Sequence, residues 1–391
     1  MISRDLPSTG AVSARIDGVD LLRGLAIFFV LMNHVNMRLV IAGVPYHQGL
    51  PDGLVTPLFW NGQPGVQMFF AVSSFLITSM TLKRWAALPN VNLRGFYLMR
   101  FARIAPLLFL LLAVLCVLHF TGLHDFVVPA KTGGLGRALV AALTFHVNVL
   151  EARRGYLPGN WDVLWSLSVE EVFYLAFPLI ARVFGRGKLF VAILLGFVAL
   201  GPVARTVLAH GNETWREYSY FGGMDAIALG CLTALLVSRY RLSRGGLCTA
   251  GVLGSALLIF SLCFSVETET WGLYRSGLDM SILAVGTCLF IAAVAQSKWK
   301  GPRLIKPVLR LGQSSYEVYL THMFVVFGLF GIFVAMGEPL RAVPALFILV
   351  VIIAALCGEA VAKLYSEPMN RFIRARFAAV GSSAGVRPEE N

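Results

Sequence analysis

The stretch GVDLLRGLAIFFVLMNHVN (residues 18–36) decides the fold class, because it is apolar enough to cross a membrane and yet contains ionisable side chains. These side chains belong to Asp20, Arg23 and His34. Insertion scales assign a cost of roughly 2.5–3.5 kcal/mol to Arg or Asp at a helix centre, so such residues usually face a protein interior or a water-filled cavity. Arg23 and His34 are close to three helical turns apart and therefore share a face, about 16 Å apart along the axis. Asp20 precedes Arg23 by three residues, which is close enough to form an ion pair.

The composition extends this pattern to the whole chain. Of 391 residues, 57% are hydrophobic and 14% are charged, whereas soluble domains contain about 25% charged residues. The chain is therefore predicted to be an all-α polytopic membrane protein embedded in the lipid bilayer. About ten transmembrane helices are predicted, over residues 18–40, 64–82, 104–121, 162–183, 189–208, 220–238, 246–264, 276–296, 315–335 and 343–364.

The distribution of basic residues predicts the orientation. If 136–150 is a re-entrant or interfacial helix, most of the 33 Lys and Arg residues fall on the side of both termini. The positive-inside rule makes that side cytoplasmic. We therefore predict a cytoplasmic tail over 1–17, a membrane domain over 18–376 and a polar cytoplasmic tail over 377–391. The net charge of +12 is explained by topology and does not predict nucleic-acid binding.

The six cysteines are scattered singly through apolar segments, and no two have the spacing of metal ligands or of a redox pair. We interpret them as small hydrophobic residues. The sequence therefore predicts neither a metal site nor a bound cofactor.

Two arginines stand one helical turn apart in FYLMRFARIAP (residues 96–106), at the start of the third predicted span. One interpretation of Arg100 and Arg103 is a positive-inside anchor. However, no acidic residue lies between Lys83 and Pro106 to balance them. Guanidinium groups are well suited to phosphate oxygens, so a phosphate-bearing cytosolic ligand is the alternative.

A polar stripe runs along the fourth predicted span, NWDVLWSLSVEEVFYLAFP (residues 160–178). Ser166, Glu170 and Tyr174 share one face, whereas Glu171 points about 100° away. Glu170 can serve catalysis or can pair with a buried Arg, and the flanking tryptophans can mark a membrane interface. Further buried-acid candidates, each interpreted as a structural partner for an Arg, are Asp225 and Glu359.

A second stripe occurs in LGQSSYEVYLTHMF (residues 311–324), where Ser315, Tyr319 and His322 share a face. A single His on an apolar helix is more often a satisfied core residue than a catalyst. His34 is the strongest catalytic candidate, because an imidazole titrates near neutral pH and can take a proton from a hydroxyl group.

These motifs, taken in order along nearly the whole chain, resemble the integral-membrane acyltransferase family 3. One position departs from the family, which usually has Ser-Gly-Phe-Leu in the second helix, where this chain has Ser74 in place of Gly. The matching positions are Asp20, Arg23 and His34; GVQMFFAVSSFLIT (65–78); Arg100, Arg103 and Pro106; WSLSVEEVFYL (165–175); Gly312, Ser315, Tyr316, Tyr319, Leu320 and His322; and YSEPMNRF (365–372).

The resemblance implies an O-acyltransferase of the bacterial cytoplasmic (inner) membrane. It would move an acyl group, commonly acetyl, from a cytosolic acyl-CoA co-substrate to a hydroxyl group of an extracytoplasmic saccharide such as a lipopolysaccharide O-antigen or an exopolysaccharide. A small hydrophobic hydroxyl acceptor is also compatible with these motifs. Some relatives carry a soluble esterase-like domain that this sequence lacks, so we expect either that the membrane domain completes the transfer or that a separate periplasmic partner does.

The resemblance also implies roles for individual residues. Arg23, Arg100 and Arg103 would hold the CoA phosphates, and His34 would act as general base or carry the acyl group transiently. Orientation of the imidazole or of the acceptor would fall to Glu170, with Tyr316 or His322. Structural support would come from Asp20, Ser73, Trp165, Ser166 and Tyr319.

Two other functions compete with this one. A transporter that exports an acylated or anionic metabolite would also place charges inside the membrane, but it predicts repeated halves, and the sequence shows no internal repeat. A sensor or polysaccharide-assembly scaffold with a decayed site would be expected to have lost His34 or Arg103, and both are present.

Overall fold

The computed structural model describes residues 15–48, 50–297 and 299–383, and every regular element in these ranges is helical. A π-helical segment, Ala362–Ser366, joins the last two α-helices. Short 3-10 helices cover Leu88–Asn90, His124–Phe126, Ala130–Thr132, Arg303–Ile305 and Leu340–Ala342. The α-helices are α1 (Asp17–Ile41), α2 (Asp52–Phe59), α3 (Gly62–Trp85), α4 (Leu93–Phe120), α5 (Gly134–Leu143), α6 (Val147–Arg154), α7 (Gly159–Asp162), α8 (Leu164–Phe184), α9 (Lys188–Arg205), α10 (Glu213–Tyr218), α11 (Met224–Arg239), α12 (Arg244–Cys263), α13 (Ser265–Thr270), α14 (Asp279–Gln296), α15 (Lys306–Gln313), α16 (Ser315–Ala335), α17 (Val343–Val361) and α18 (Glu367–Ser383).

The prediction of an all-α polytopic membrane protein is confirmed. Within the described ranges, nine helices are long and apolar enough to cross a membrane. The sixth predicted span, 220–238, forms α11, which has 16 residues. At 1.5 Å per residue α11 is about 24 Å long, which is short for a hydrocarbon core of about 30 Å. The cytoplasmic placement of both termini stays a prediction, and residues 1–14 and 384–391 of the predicted tails lie outside the described residues.

The segment 136–150 does not form one helix. It is divided between α5 and α6, which have ten and eight residues. The chain also bends by 94° between the segments His124–Thr132 and Gly134–Leu143. This bend is the geometry of a broken span or a re-entrant loop, and the re-entrant placement stays a prediction.

The third predicted span begins earlier than its hydropathy indicates. α4 starts at Leu93, eleven residues before the predicted start, because the Asn92 side chain caps it by accepting a hydrogen bond from the Gly95 N–H at 3.0 Å. Arg is a good helix former, so the basic segment continues the helix without interruption. As a result Arg100 and Arg103 lie inside a long helix and face the bundle, where both line a cavity between the helices.

Helix α1 lies at the centre of the bundle and packs against α3, α15 and α16. Its closest contacts are made at glycines. A Cβ built on Gly24 would lie 2.1 Å from the Val308 carbonyl oxygen of α15, and one built on Gly65 of α3 would lie 2.6 Å from the Ala26 carbonyl oxygen. Real Cβ atoms do not approach oxygen so closely, so only glycine allows these backbones to touch. The close packing fixes the face of α1 that carries Arg23 and His34.

The Gly312→Ala variant is expected to lose about 1–3 kcal/mol of unfolding free energy, because the added methyl group overpacks the α1–α15 contact. A Cβ at Gly312 would lie 1.9 Å from the Asp20 carbonyl oxygen. The measurement is unfolding of the purified protein in mixed micelles. Gly328→Ala on α16 is the matched control, since a Cβ there meets nothing within 4 Å. Equal stability of the two variants would contradict the proposed backbone contact.

The departure at Ser74 is accommodated by the neighbouring helix. Ser74 is fully buried, and its hydroxyl donates to the Ala71 carbonyl oxygen at 3.1 Å. Gly230 of α11 faces it, and a Cβ at Gly230 would lie 2.0 Å from Ser74 Oγ. The serine hydroxyl therefore occupies space that Gly230 leaves open, and α3 and α11 still pack closely.

The two further acids have different partners. Asp225 pairs with Arg205 at 2.7 Å, and both side chains are at most 4% exposed, so its interpretation as the partner of a buried Arg is confirmed. Glu359 pairs with Lys363 at 2.5 Å instead of an Arg. That interpretation is therefore wrong in the identity of the partner, because an i,i+4 neighbour on the same helix reaches Glu359 first.

Candidate active site

A cavity of about 230 Å³ lies between α1, α3, α4, α8 and α16. It brings together residues of both polar stripes and all three predicted phosphate ligands. Glu171 does not line it, as its direction on the helix predicts. The polar lining residues are Arg23, Ser73, Arg100, Arg103, Ser166, Glu170, Tyr174, Ser315, Tyr316 and Tyr319.

The three arginines of the cavity differ in how many hydrogen-bond acceptors of the protein their guanidinium groups already contact. Arg103 donates to both carboxylate oxygens of Glu317, at 2.7 and 3.3 Å. Arg23 donates from Nε to Ser315 Oγ at 3.1 Å. Arg100 stacks on the Tyr174 ring at 3.7 Å, and no acceptor among the described residues reaches its Nε. The cavity wall therefore has an excess of positive charge, and Arg100 is its most available cation.

The two intramembrane histidines form a pair. His34 of α1 and His322 of α16 meet edge to face, with ring centroids 4.9 Å apart, and His322 Nε2 lies 3.4 Å from His34 Nδ1. His322 is completely buried, whereas His34 is half-buried. Of the two, only His34 can be reached by a substrate.

Backbone carbonyls determine which ring nitrogens carry protons in the neutral pair. His34 Nδ1 lies 2.8 Å from the Val30 oxygen, and His322 Nδ1 lies 2.7 Å from the Tyr319 oxygen. Both contacts require an N–H at Nδ1, so we assign the Nδ1–H tautomer to each ring from the hydrogen-bond network. His34 Nε2 is then left without a proton and can act as a base.

Tyr319 connects the cavity to the histidine pair. Its hydroxyl lies in the cavity wall, 2.6 Å from Ser166 Oγ and 3.0 Å from the Val163 oxygen. Its ring centroid is 5.8 Å from that of His322. Neither histidine lines the cavity itself, and Tyr319 is the residue that lies between the cavity wall and the His322 ring.

Comparison with known proteins identifies the family of the chain. The family model described as an acyltransferase domain matches residues 16–360. The chain belongs to this acyltransferase family. That finding confirms the resemblance drawn from the motifs.

Among characterised relatives, the chain is 24% identical over 382 residues to the O-acetyltransferase OatA of Staphylococcus aureus (strain NCTC 8325 / PS 47), covering 91% of this chain and 57% of that protein. It is 28% identical over 332 residues to the peptidoglycan O-acetyltransferase OatA of Listeria monocytogenes, covering 78% of this chain and 49% of that protein. The chain thus spans about half the length of the curated relatives it matches. No solved structure matches it.

Two expectations for this acyltransferase-family site need correction. Asp20 does not pair with Arg23 among the described residues and instead accepts a hydrogen bond from Gln313 Nε2 at 3.1 Å, because packing against α15 brings that amide closer. Glu170 accepts from Tyr174 at 3.3 Å and has no hydrogen bond to either histidine. It lies at the arginine end of the cavity, so it does not orient the imidazole.

Two further predicted site residues, Tyr316 and Trp165, also make contacts with other parts of the protein. The Tyr316 hydroxyl donates to the Ile104 carbonyl oxygen at 2.8 Å, so its proton is already used, although its side chain lines the cavity. Trp165 lies outside the cavity wall and stacks on Tyr218 with ring centroids 4.0 Å apart. Both contacts fix neighbouring helices and neither touches the histidines.

The sequence patterns did not identify Glu317 as a site residue, although its carboxylate pairs with Arg103. It is 1% exposed and is the only acid in residues 311–324. A signal was present, since a buried Arg needs an anionic partner. The pair joins residues 214 positions apart, so the sequence alone could not identify which acidic residue pairs with Arg103.

The Glu317→Ala variant is expected to lose about 3 kcal/mol of unfolding free energy, because it leaves the Arg103 charge inside the bundle without a partner. The measurement is the unfolding midpoint in detergent. A double variant that also carries Arg103→Leu is expected to recover part of the loss, since the isolated charge is then removed. If the single and double variants are equally destabilised, the pair is not the source of the effect.

Proposed function

We propose that the chain is a membrane-embedded O-acyltransferase that moves an acyl group, commonly acetyl, from acyl-CoA to a hydroxyl group of a saccharide on the other side of the membrane. The observation that carries the proposal is that two features follow each other along α1. Arg23 lines the arginine-rich cavity, and about 16 Å further along the helix lies His34, whose Nε2 is free to accept a proton. Membership of the acyltransferase family supports the reaction class. The relatives' names support an acetyl group and a glycan acceptor.

In this proposal the arginine end of the cavity binds the donor. Arg100 supplies charge to a CoA phosphate, because no carboxylate among the described residues forms an ion pair with it, and Arg23 and Arg103 add to the positive field. The acyl thioester then extends past Tyr319 toward His34.

His34 then acts as the general base. The acceptor hydroxyl oxygen attacks the thioester carbonyl carbon while His34 Nε2 takes the hydroxyl proton. The carbon–sulfur bond breaks, and the CoA thiolate recovers the proton from the imidazolium. The Val30 carbonyl oxygen accepts from His34 Nδ1–H and so keeps the basic nitrogen at Nε2, while His322 is a positioning residue that packs edge to face on the His34 ring. Transient acylation of His34 is the alternative route through the same nitrogen.

Turnover by the purified protein in detergent tests this function. Release of free CoA from acetyl-CoA is measured as new thiol, with no ion or voltage gradient present. Sustained release supports an acyltransferase. Binding of acetyl-CoA without thiol release, together with gradient-dependent uptake in reconstituted vesicles, would favour an exporter instead.

A further inference from the structure

A second polar site lies at the end of the bundle opposite the arginines. Of the eleven buried side-chain atoms without a hydrogen-bond partner among the described residues, five belong to the segment 148–161. Buried polar atoms in proteins are nearly always paired, so a concentration of unpaired ones indicates a missing ligand or ordered water. These atoms are Asn148 Oδ1, Glu151 Oε2, Asn160 Nδ2 and Oδ1, and Trp161 Nε1.

Hydrogen bonds and close charges connect Asn148, Glu151 and Asp162, and Asn160 precedes Asp162 by two residues. Asn148 and Glu151 are three residues apart on α6 and so share a face. Asn148 donates to the Tyr218 carbonyl oxygen at 3.0 Å, and the Tyr218 hydroxyl donates to Asp162 Oδ1 at 3.4 Å. The Leu157 N–H donates to Glu151 Oε1 at 3.1 Å, and the Asp162 carboxyl group is close enough to raise the pKa of Glu151.

Burial distinguishes this network from a solvated acidic surface. Asn148, Glu151 and Asn160 are at most 1% exposed, whereas Asp162 is half-buried and gives the network an opening. Burial first, and then the neighbouring Asp162 carboxyl group, raise the pKa of Glu151 well above its ordinary value. The network therefore combines buried amide groups with two neighbouring carboxyl groups.

The network adjoins the histidine pair. A Cβ built on Gly159, at the start of α7, would lie 2.5 Å from Met323 Cε, one residue after His322. The same position is 3.5 Å from a terminal guanidinium nitrogen of Arg38, which follows His34 by one helical turn. The segment that carries Asn160 and Asp162 is thus packed against the side of the pair that lies away from the arginine cavity.

The chemistry of the unpaired atoms indicates the class of ligand. Three of them are acceptors on Asn148, Glu151 and Asn160, and two are donors, the Asn160 amide and the Trp161 indole N–H. Phosphate would be repelled by the carboxyl groups, and the two N–H donors cannot coordinate a cation. A neutral ligand that both donates and accepts at closely spaced oxygens, as sugar hydroxyl groups do, satisfies all of them.

We propose that Asn148, Glu151, Asn160 and Asp162 form the subsite that binds the saccharide acceptor next to His34. This inference rests on the proposed acyltransferase function and deepens it, because it separates the acceptor residues from the donor residues. The donor then enters past the arginines, the acceptor is held by the network, and His34 lies between them. Loss of one buried hydrogen bond to the acceptor lowers its binding by about 10-fold or more.

The test uses membranes that contain the full chain and acetyl-CoA labelled in the acetyl group. Two products are measured in each sample: free labelled acetate, which reports the donor half of the reaction with water, and alkali-labile label on the membrane saccharide fraction. Glu151→Gln and Asn160→Asp are compared with Glu269→Gln, an exposed acid on α13 outside the network. The two network variants are expected to lose about 10-fold or more of the saccharide label while acetate release stays close to that of the unmodified chain.

Several outcomes would overturn the subsite. Unchanged saccharide label, or an equal fall in both products, would assign the network to packing alone. If neither variant could be recovered as folded protein, the network would also be assigned to packing alone, because the two changes lie on different helices. Absence of both acetate and saccharide label with the unmodified chain would instead count against the proposed function, and the subsite would fall with it.

Discussion

His34→Ala is expected to lower kcat for acyl transfer by about 100- to 10,000-fold, which is the usual contribution of a positioned general base. The KM for acyl-CoA is expected to change little, because the donor is held by arginines about three helical turns away. The change also removes the only one of the two paired histidines that a substrate can reach. The measurement is steady-state release of CoA by purified protein over a range of acetyl-CoA concentrations.

His47→Ala is the matched control for this variant. His47 is an exposed histidine in the loop after α1 and does not line the cavity, so its loss is expected to leave both constants unchanged. If His34→Ala retained its kcat, or if it raised only the KM, the assignment of His34 as the base would be wrong.

Arg100→Ala is expected to raise the KM for acyl-CoA by about 10- to 100-fold with a much smaller change in kcat, since a charge-assisted hydrogen bond to a phosphate is lost. The structure distinguishes this residue from Arg103, whose guanidinium group is already occupied by Glu317. Arg103→Ala is therefore expected to affect stability more than donor binding. Arg100→Lys keeps the charge but not the planar stack on Tyr174, so an intermediate KM is expected.

Arg94→Ala provides the comparison on the same helix. Arg94 is exposed near the start of α4 and does not line the cavity. A rise in KM equal to that of Arg100→Ala would mean that the donor responds only to the general positive charge at this end of the protein. An unchanged KM in Arg100→Ala would remove Arg100 from the donor site.

Much of the fold follows from features that are local in sequence. Apolar length gave the membrane helices, and the i, i+4, i+8 spacing of Ser166, Glu170 and Tyr174 correctly predicted that all three face one space. The early start of α4 was not predicted, because a hydropathy pattern does not reveal a helix whose first turns are basic. The cap at Asn92 is the local signal that could have revealed it.

Pairing between helices could not be predicted in the same way. The contacts between His34 and His322, between Arg103 and Glu317, and between Asp20 and Gln313 join residues more than 200 positions apart. Each depends on how closely two helices approach, and for α1 and α15 that distance is set by glycine contacts whose partners the sequence does not specify. The motifs therefore identified which residues share the site, whereas the tautomer of His34 and the partner of Arg103 required the packed structure.

The central claim is that the donor and the acceptor reach His34 from opposite ends of the bundle, and sealed inside-out vesicles test it most directly. Acetyl-labelled acetyl-CoA is added outside, where the predicted cytoplasmic face is exposed, and alkali-labile label on saccharide is then challenged with an esterase that cannot cross the membrane. We expect the esterase to leave the saccharide label in place until detergent opens the vesicles, and we expect no saccharide label with His34→Ala. Label that the esterase removes from intact vesicles would place both substrates on the same side and would contradict it.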